Sequence, residues 1–507
     1  THTMLKEADI VKLIFGLKVQ HLRQEADLSY QQLSDRTGLA ISYLHSIEKG
    51  KKYPKADKII LLAAALDTEY DYLVSLEPSK KLRPIVELLR SDFLKIFPLE
   101  TFGISTTKLI ELLLQAPEKV NAFISTVIKI TRNFNMQGED FYKAALRSYQ
   151  DLYDNYFPDL EKAARDYRQE QQLEQREFVP TERFEQLLNE VHGVSIDRIY
   201  LASSPELQHL RSVYIPEDKT LYLGPDLNAA QERFLLTKEI GFQVLQDSRR
   251  PFVTRMLEIE SFEKLLSNFR ASYFAVSLLL PESVMVAYLQ EMTKWQSWKG
   301  EELLSWMDAQ QVTSEMLVQR MANILPHQFG VKHLFFMRFF TGADMKKVLV
   351  TKEMHLSQLH DPHANQLDEH YCRRWISIRL IGRLKTKQGL DATQGPVVGA
   401  QISRYWDTPN AYFCMAIAKP TRENPENSSS VTIGLLLNDQ LRDTFPFLAD
   451  PAVITKDVHT TCERCAIVDC EARAAPPVFL RRQRRRVATR DALEMMRKQV
   501  LSNTKSG

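Results

Sequence analysis

Between Leu28 and Gly50 the chain reads Leu28-Ser-Tyr-Gln-Gln-Leu-Ser-Asp-Arg-Thr-Gly-Leu-Ala-Ile-Ser-Tyr-Leu-His-Ser-Ile-Glu-Lys-Gly50, a stretch with little freedom in how it folds. Ser29 is a fitting N-cap for one short helix, because its hydroxyl can satisfy an orphan amide. Gly38 supplies the permissive residue of a tight turn. Leu33, Leu39, Leu44 and Ile47 then fall on the buried side of two crossing helices, with the small Ser34 where they meet. Upstream, Ile10, Leu13, Ile14, Leu17 and Leu22 form the apolar stripe of a preceding helix that is interrupted at Ala26-Asp27.

Glycine, small residue and four apolar positions at these offsets, together with Ile47-Glu48-Lys49-Gly50 and Pro54, resemble the Cro/XRE-type helix-turn-helix. In such a unit the third helix enters the major groove of DNA. Position then assigns Ile41, Ser42 and Ser46 to base edges, with Tyr43 and His45 nearer the backbone. Ile41 offers only apolar contact, for instance to a thymine methyl. Tyr30 and Gln31 begin the second helix, where amides and side chains meet phosphate. Lys49, Lys51, Lys52, Lys55 and Lys58, opposed only by Asp57, form a basic cluster that should supply non-specific affinity.

Outside this segment charge decides little, since 66 Lys and Arg against 64 Asp and Glu leave +2 over 507 residues. No global field therefore dictates a nucleic-acid or membrane partner. A length of 507 residues predicts several domains, and 44% hydrophobic with 26% charged residues is ordinary for a globular protein. No apolar run approaches the ~20 residues that span a bilayer, and no secretory pattern opens the chain, so no membrane and a cytoplasmic location are expected. Five cysteines, an odd number, do not make a disulfide framework, so clustered ones are better read as metal ligands.

Residues 233 to 246, Arg-Phe-Leu-Leu-Thr-Lys-Glu-Ile-Gly-Phe-Gln-Val-Leu-Gln, have the form of an H-E-x-x-H zinc helix without its histidines. Lys238 and Phe242 stand where two imidazoles would leave one helix face, so Glu239 has no metal-bound water to activate. Two short alternating strands within Arg211 to Leu223 precede this helix, predicted over Asn228 to Gln246. A small-residue and aromatic stripe, Ala271 to Pro281, follows it. Over roughly residues 180 to 285 the arrangement resembles the ImmA/IrrE-type metallopeptidase domain. In active members an acidic residue at the start of the second helix supplies the third ligand, where this chain offers Asn268 and Arg270. The resemblance therefore implies a degenerate domain and no enzyme. Lys238 and Arg270 would make its cleft cationic and suited to an anionic small molecule.

Cys462-Glu-Arg-Cys465-Ala-Ile-Val-Asp-Cys470 places two thiolates three apart and a third five further on, with Cys372 in Glu369-His-Tyr-Cys-Arg-Arg-Trp375 as the fourth. Four thiolates suit a tetrahedral zinc or an iron-sulfur cluster, and spacing alone does not choose. His370 and His459 are alternative ligands. Cys414, within Ala411-Tyr-Phe-Cys-Met-Ala-Ile417, reads as a buried strand residue. Val331 to Phe340, Arg404 to Ala418 and Val431 to Leu437 are apolar runs of strand type. Helical periodicity marks Leu82 to Phe97 and Ser105 to Arg132. Aromatic residues from Phe141 to Phe157 read as helix packing or a dimer contact. A basic run, Arg481-Arg-Gln-Arg-Arg-Arg486, leads into a helix expected from Asp491 to Leu501.

Taken in order, Ile47 to Gly50, Asn155-Tyr-Phe-Pro158, Ala271 to Pro281, Cys372-Arg-Arg-Trp375 and Cys462 to Pro477 resemble the short-chain fatty acyl transcriptional regulators over nearly the whole chain. The resemblance implies a multi-domain α+β protein. Its parts are a helix-turn-helix head at 1–76, a helical connector at 77–178, a pseudo-metallopeptidase domain at 179–329, a cysteine-cluster sensor domain at 330–478 and a basic tail helix at 479–507. It further implies a regulator that binds double-stranded DNA, takes an acyl-coenzyme A effector and holds a [4Fe-4S] cluster on the four cysteines, and a homodimer is expected because one small head buries little interface with DNA. Two other functions compete with this one. A phage-type repressor or antitoxin would bind a protein through its C-terminal region, and an active zinc peptidase would need the ligands that Lys238 and Phe242 replace.

Overall fold

The computed structural model forms two compact units, Thr1–Leu146 with Glu258–Leu265, and Arg147–Leu257 with Leu266–Gly507. It describes residues 7–75, 138–173, 178–247, 249–253, 259–356, 369–388, 395–406, 408–421 and 424–503. Most of the connector expected over 77–178, including both helices read before Arg132, lies outside the described residues.

The first unit opens with five helices, α1 (Glu7–Glu25), α2 (Tyr30–Thr37), α3 (Ile41–Glu48), α4 (Ala56–Ala65) and α5 (Tyr70–Val74). Ser29 caps α2 through the Gln32 amide at 3.2 Å, and the Gln32 side chain accepts the Ser29 amide at 2.7 Å, a reciprocal capping box. Gly38 ends α2 at φ 70°, a left-handed conformation that only glycine adopts without strain. Phe15, Val19, Leu33, Leu39, Leu44, Ile47 and Leu62 fill the centre. α1 crosses α3 backbone to backbone at Gly16, where a Cβ would stand 2.3 Å from the Ile47 carbonyl oxygen.

The second unit contains α7 (Pro158–Glu170) and α8 (Thr181–Glu190), and α6 (Gly138–Leu152) leads into it. A small sheet follows in the order β1-β3-β2, from β1 (Ser195–Asp197), β2 (Ser212–Ile215) and β3 (Thr220–Leu223), with α9 (Tyr200–Ser203) between its first two strands. Five helices come next: α10 (Ala229–Leu245), α11 (Phe262–Leu279), α12 (Glu282–Met292), α13 (Gly300–Ala309) and α14 (Ser314–Phe329). The strands and helix read from 211 to 246 are thus present, and Asn228 caps α10 with Gln231 in a second capping box.

A six-stranded sheet completes the unit in the order β5-β4-β8-β7-β6-β9. Its strands are β4 (Leu334–Thr341), β5 (Val348–His355), β6 (Val397–Tyr405), β7 (Ala411–Pro420), β8 (Ser428–Leu436) and β9 (Thr455–Val458), with α15 (Ile376–Gln388) before β6 and α16 (Asp439–Thr444) after β8. β6 and β9 pair in parallel and the other ladders are antiparallel. The apolar run from Arg404 to Ala418 divides, because Tyr405 closes β6 and Ala411 opens β7.

Both faces of this sheet are covered, which is why β7 is apolar on successive residues. Phe413, Met415 and Ile417 join one core, while Tyr412, Cys414, Ala416 and Ala418 face a second core under α15. Cys414 is accordingly a core side chain, its thiol pushed to about 12 by burial. The first of these cores also takes in Leu187, Leu236, Phe274 and Leu317, so the segments read as 179–329 and 330–478 share one interior. The basic tail is helical from its start, as α17 (Val478–Asn503), ahead of the Asp491 expected from sequence. Arginine is a good helix former and needs no apolar periodicity to continue a helix.

Candidate functional site

On α3, Ile41 is 41% exposed and Ser42 and His45 are also exposed, so the outer face carries the residues that position assigns to DNA. Ser46 is half-buried and its hydroxyl donates to the Ser42 carbonyl at 2.8 Å. Half-buried Tyr43 gathers two lysines, with Lys58 Nζ 4.6 Å and Lys52 Nζ 5.6 Å from its ring centre. Lys49 is half-buried, while Lys51, Lys52 and Gln31 are exposed, the last donating to Asp35 at 2.9 Å. Tyr30 differs from the rest of the assigned set. Its hydroxyl donates inward to Glu48 at 2.7 Å, and burial followed by that bond pushes it to about 12.

Glu48, which the sequence reading passed over, is the polar centre of the head. Arg23 donates to its two carboxylate oxygens at 2.7 and 3.0 Å and to the Leu28 carbonyl at 2.8 Å. This buried, forked pair ties the end of α1 to the end of α3. The available signal was a glutamate closing an otherwise apolar helix face, with an arginine at the end of the preceding stripe.

In the second unit Lys238, Glu239, Phe242 and Asn268 come close together. Lys238 is 3% exposed and donates from Nζ to Asn268 Oδ1 at 2.7 Å, linking α10 to α11. Phe242 lies 5.8 Å from that ammonium. Glu239 is 2% exposed and accepts Arg250 on both oxygens, at 2.6 and 2.5 Å. The Arg250 guanidinium is packed between the rings of Tyr214 and Phe242, at 4.0 and 4.1 Å. Burial lowers the Lys238 ammonium to about 7, with Lys352 and Arg250 adding to the effect. Arg270 stands apart and donates to Asp159 at 2.9 Å. These groups form a packed lock and not the open cationic cleft expected from sequence, because each charge already has a partner and Lys238 is sealed from water.

Next to the lock lies a cationic cluster that the sequence reading did not find. Glu315, in the first turn of α14, meets Lys352 of β5 at 3.1 Å and Arg338 of β4 at 3.5 Å. Burial alone would raise this carboxyl, but Lys352 and Arg338, with Arg211 behind them, hold it at about 2. Lys419 of β7 feels the same group, its ammonium lowered first by burial and then by Arg338 and Arg211, with Glu315 opposing. Lys352 and Arg338 thus pair with one carboxylate that Arg211 and Lys419 also feel, and Lys352 in turn helps lower Lys238. No spacing rule joins residues 211, 315, 338, 352 and 419. Only the fold assembles them.

Residues 19–73 match the helix-turn-helix family model HTH_3. The head is a helix-turn-helix domain, a module that binds double-stranded DNA. No curated protein matches the chain. A Mycobacterium tuberculosis transcriptional regulator of solved structure is similar over 65% of this chain and 93% of its own, with 18% identity and a TM-score of 0.46. Among the described residues no single helix is long and apolar enough to cross a membrane.

The four cysteines singled out by sequence come together at one end of the six-stranded sheet. Tyr371 bridges Thr461, the Cys372 amide donates to the Thr460 carbonyl at 3.1 Å and the Cys462 amide to the His370 carbonyl at 2.8 Å, which sets Cys372 beside Cys462. Burial pushes the Cys372 thiol to about 11, opposed by the backbone of His459 and Arg374 and reinforced by Cys462 and Cys465. Cys465 is likewise raised by burial, opposed by the Ile467 backbone and Arg473, and it feels both Cys470 and Cys462. The Ala474 amide donates to Cys462 Sγ at 3.4 Å. His370 is engaged by Glu463 at 2.7 Å. Among the described residues no three His, Cys, Asp or Glu side chains stand close enough to hold one metal ion. Nearby amides and Arg473 favour the charged sulfur, but burial outweighs them and keeps the Cys372 and Cys465 thiols raised.

Proposed function

We propose that the chain is a sequence-specific transcriptional regulator that acts as a homodimer on double-stranded DNA. The observation that carries this reading is the helix-turn-helix geometry over residues 19–73, with Ile41, Ser42 and His45 exposed on α3 and Lys51 and Lys52 beside them. A dimer on two half-sites gives such a small head enough interface. Selection from a random duplex pool should enrich one sequence with the wild-type chain and none with Ile41→Glu plus Ser42→Asp. Equal enrichment by the variant would remove α3 from the reading.

The second unit is the sensing part of this proposal, and its effector is an acyl-coenzyme A. Polyphosphate matches the cluster of Arg211, Arg338, Lys352 and Lys419, where guanidinium forks and ammonium groups outnumber the single Glu315 carboxylate. Lys238 is the buried end of that field, and Arg270 lies outside it. Linkage of ~1 to 3 kcal/mol between effector and operator would change DNA affinity roughly 5- to 150-fold. Calorimetry should show propionyl-coenzyme A binding that Arg338→Ala with Lys352→Ala weakens at least tenfold. Unchanged binding would place the effector elsewhere.

Cys372, Cys462, Cys465 and Cys470 would hold a [4Fe-4S] cluster. A tetrahedral zinc is the alternative on four thiolates, and the iron-sulfur cluster is the centre we propose. Such a centre would supply sensitivity to oxidants. Anaerobically purified protein should carry iron, sulfide and visible absorbance, whereas a colourless chain retaining zinc would reverse this assignment.

A further inference from the structure

The helix α17 contains 26 residues, and every side chain from Arg481 to Arg497 is exposed. A helix with no buried face gains nothing from packing, so its residues are free to meet something else. Between Val478 and Arg497 it carries seven arginines against Asp491 and Glu494. Arg482, Arg485, Arg486 and Arg490 recur at i, i+3, i+4 and i+8, which puts them on one face with Thr489 and Leu493, around a shallow groove of about 460 Å³. Arg490 meets Asp491 at 3.8 Å, and among the described residues Arg482, Arg485 and Arg486 have no carboxylate partner. Exposed Val487, Leu493, Met495 and Met496 fall on different sides of the helix at its period. They give neither the apolar face that a membrane-surface helix needs nor a continuous seam for a second copy.

We propose that this face of α17 is a second, sequence-independent DNA-binding surface that lies along the phosphate backbone. The assignment goes beyond the helix-turn-helix but rests on the reading that the chain binds DNA. Guanidinium forks match phosphate in pairs, and an arginine is always charged. The face from Arg482 to Arg490 extends about 12 Å at about 1.5 Å per residue, roughly the axial length of three to four phosphates of one strand at about 3.4 Å each.

The test uses the full chain with Arg482→Gln, Arg485→Gln, Arg486→Gln and Arg490→Gln together, its helix content checked by circular dichroism. Binding to a random-sequence duplex is followed by fluorescence anisotropy across a salt series. Because each phosphate contact contributes about 0.9 to the slope of log K against log salt, the slope should fall by about 3 and affinity at moderate salt by at least tenfold. A wild-type slope in the variant overturns the proposal. So does a variant that keeps the slope while losing self-association in sedimentation, or while losing binding to phosphatidylserine vesicles. Failure of the wild-type chain to select any sequence, with the arginine-dependent slope intact, would strike the helix-turn-helix reading and leave this surface standing.

Discussion

Each unit buries a glutamate under an arginine fork, and the consequences are opposite. In the head, Glu48 takes Arg23 and Tyr30, and the pair fixes α1 against α3 so that the other side of α3 stays presented to solvent. In the second unit, Glu239 takes Arg250, whose faces are covered by Tyr214 and Phe242, and the pair closes that part of α10 to solvent. One carboxylate positions a working surface. The other closes one. A buried ion pair by itself therefore says nothing about activity, and what decides is which groups remain free around it.

The largest effect expected from breaking that comparison lies in the head. Glu48→Ala leaves the Arg23 side chain, 11% exposed, without its anion. Removing one partner of a buried pair costs about 3 to 5 kcal/mol. Hydrogen exchange of the α3 amides in the full chain should register that loss together with loss of operator binding. Protection within about 1 kcal/mol of wild type, small beside that range, would mean that apolar packing alone sets α3.

The lock of the second unit responds to pH in a direction that Lys238 fixes. Its ammonium has an ordinary value of 10.5 in the unfolded chain and about 7 when buried. Between those values the unfolded chain holds a proton that the folded chain does not, so this group's contribution to stability rises with pH from about 7 to about 10.5. Below about 7 both states are protonated and the penalty is complete. Lys238→Met should therefore be more stable than wild type at neutral pH by about 4 to 5 kcal/mol, since each tenfold loss of proton affinity on burial corresponds to roughly 1.4 kcal/mol. That advantage should shrink toward zero as pH climbs. Denaturation curves showing a constant gap across this range would assign the gain to packing instead.

What could be read in the sequence was what is local. Ser29, Gly38, Leu33, Leu44 and Ile47 lie within twenty residues of one another, and turn and cap chemistry fixes each of them. The helix carrying Lys238 and Phe242 was legible for the same reason, since its cap at Asn228 and its periodicity are local. The hydrogen bond from Lys238 to Asn268 joins residues thirty positions apart, and no spacing rule pairs them. The cationic cluster was not legible, because Arg211, Glu315, Arg338, Lys352 and Lys419 meet only after α14 packs near the six-stranded sheet. β5 and β6 were missed as strands because their exposed or interrupted stretches lack an apolar run. The inward turn of the Tyr30 hydroxyl depends on a partner eighteen residues away.

Two glycines sharpen the contrast between a fixed and a tolerant crossing. A Cβ on Gly16 would lie 2.3 Å from the Ile47 oxygen and 2.8 Å from the Glu48 oxygen, both backbone atoms. A Cβ on Gly241 would lie 3.0 Å from the Ala271 oxygen and 3.0 Å from a Phe274 ring carbon that can move aside. Gly16→Ala should cost about 1 to 3 kcal/mol through overpacking, because α1 must lift from α3. At Gly241 the helix preference for alanine, about 1 kcal/mol, should offset most of the strain. Equal losses at the two sites in thermal unfolding would mean that the crossings are alike.

The smallest expected effect belongs to the lysines beside α3, and it separates the two DNA surfaces. Lys51 and Lys52 are exposed, with Lys52 also reaching toward the Tyr43 ring at 5.6 Å. Replacing both by glutamine removes at most two phosphate contacts, so the slope of log K against log salt should drop by no more than about 1.8. The drop should be the same on selected and random duplex, because lysine on phosphate carries no sequence information. The four-arginine variant of α17 should lose more slope and equally little selectivity, whereas Ile41→Glu with Ser42→Asp should lose selectivity with the smallest change in slope. If the lysine pair instead altered which sequence is selected, Lys51 or Lys52 would be reading bases, and the boundary drawn between the α3 face and its basic flank would move to include them.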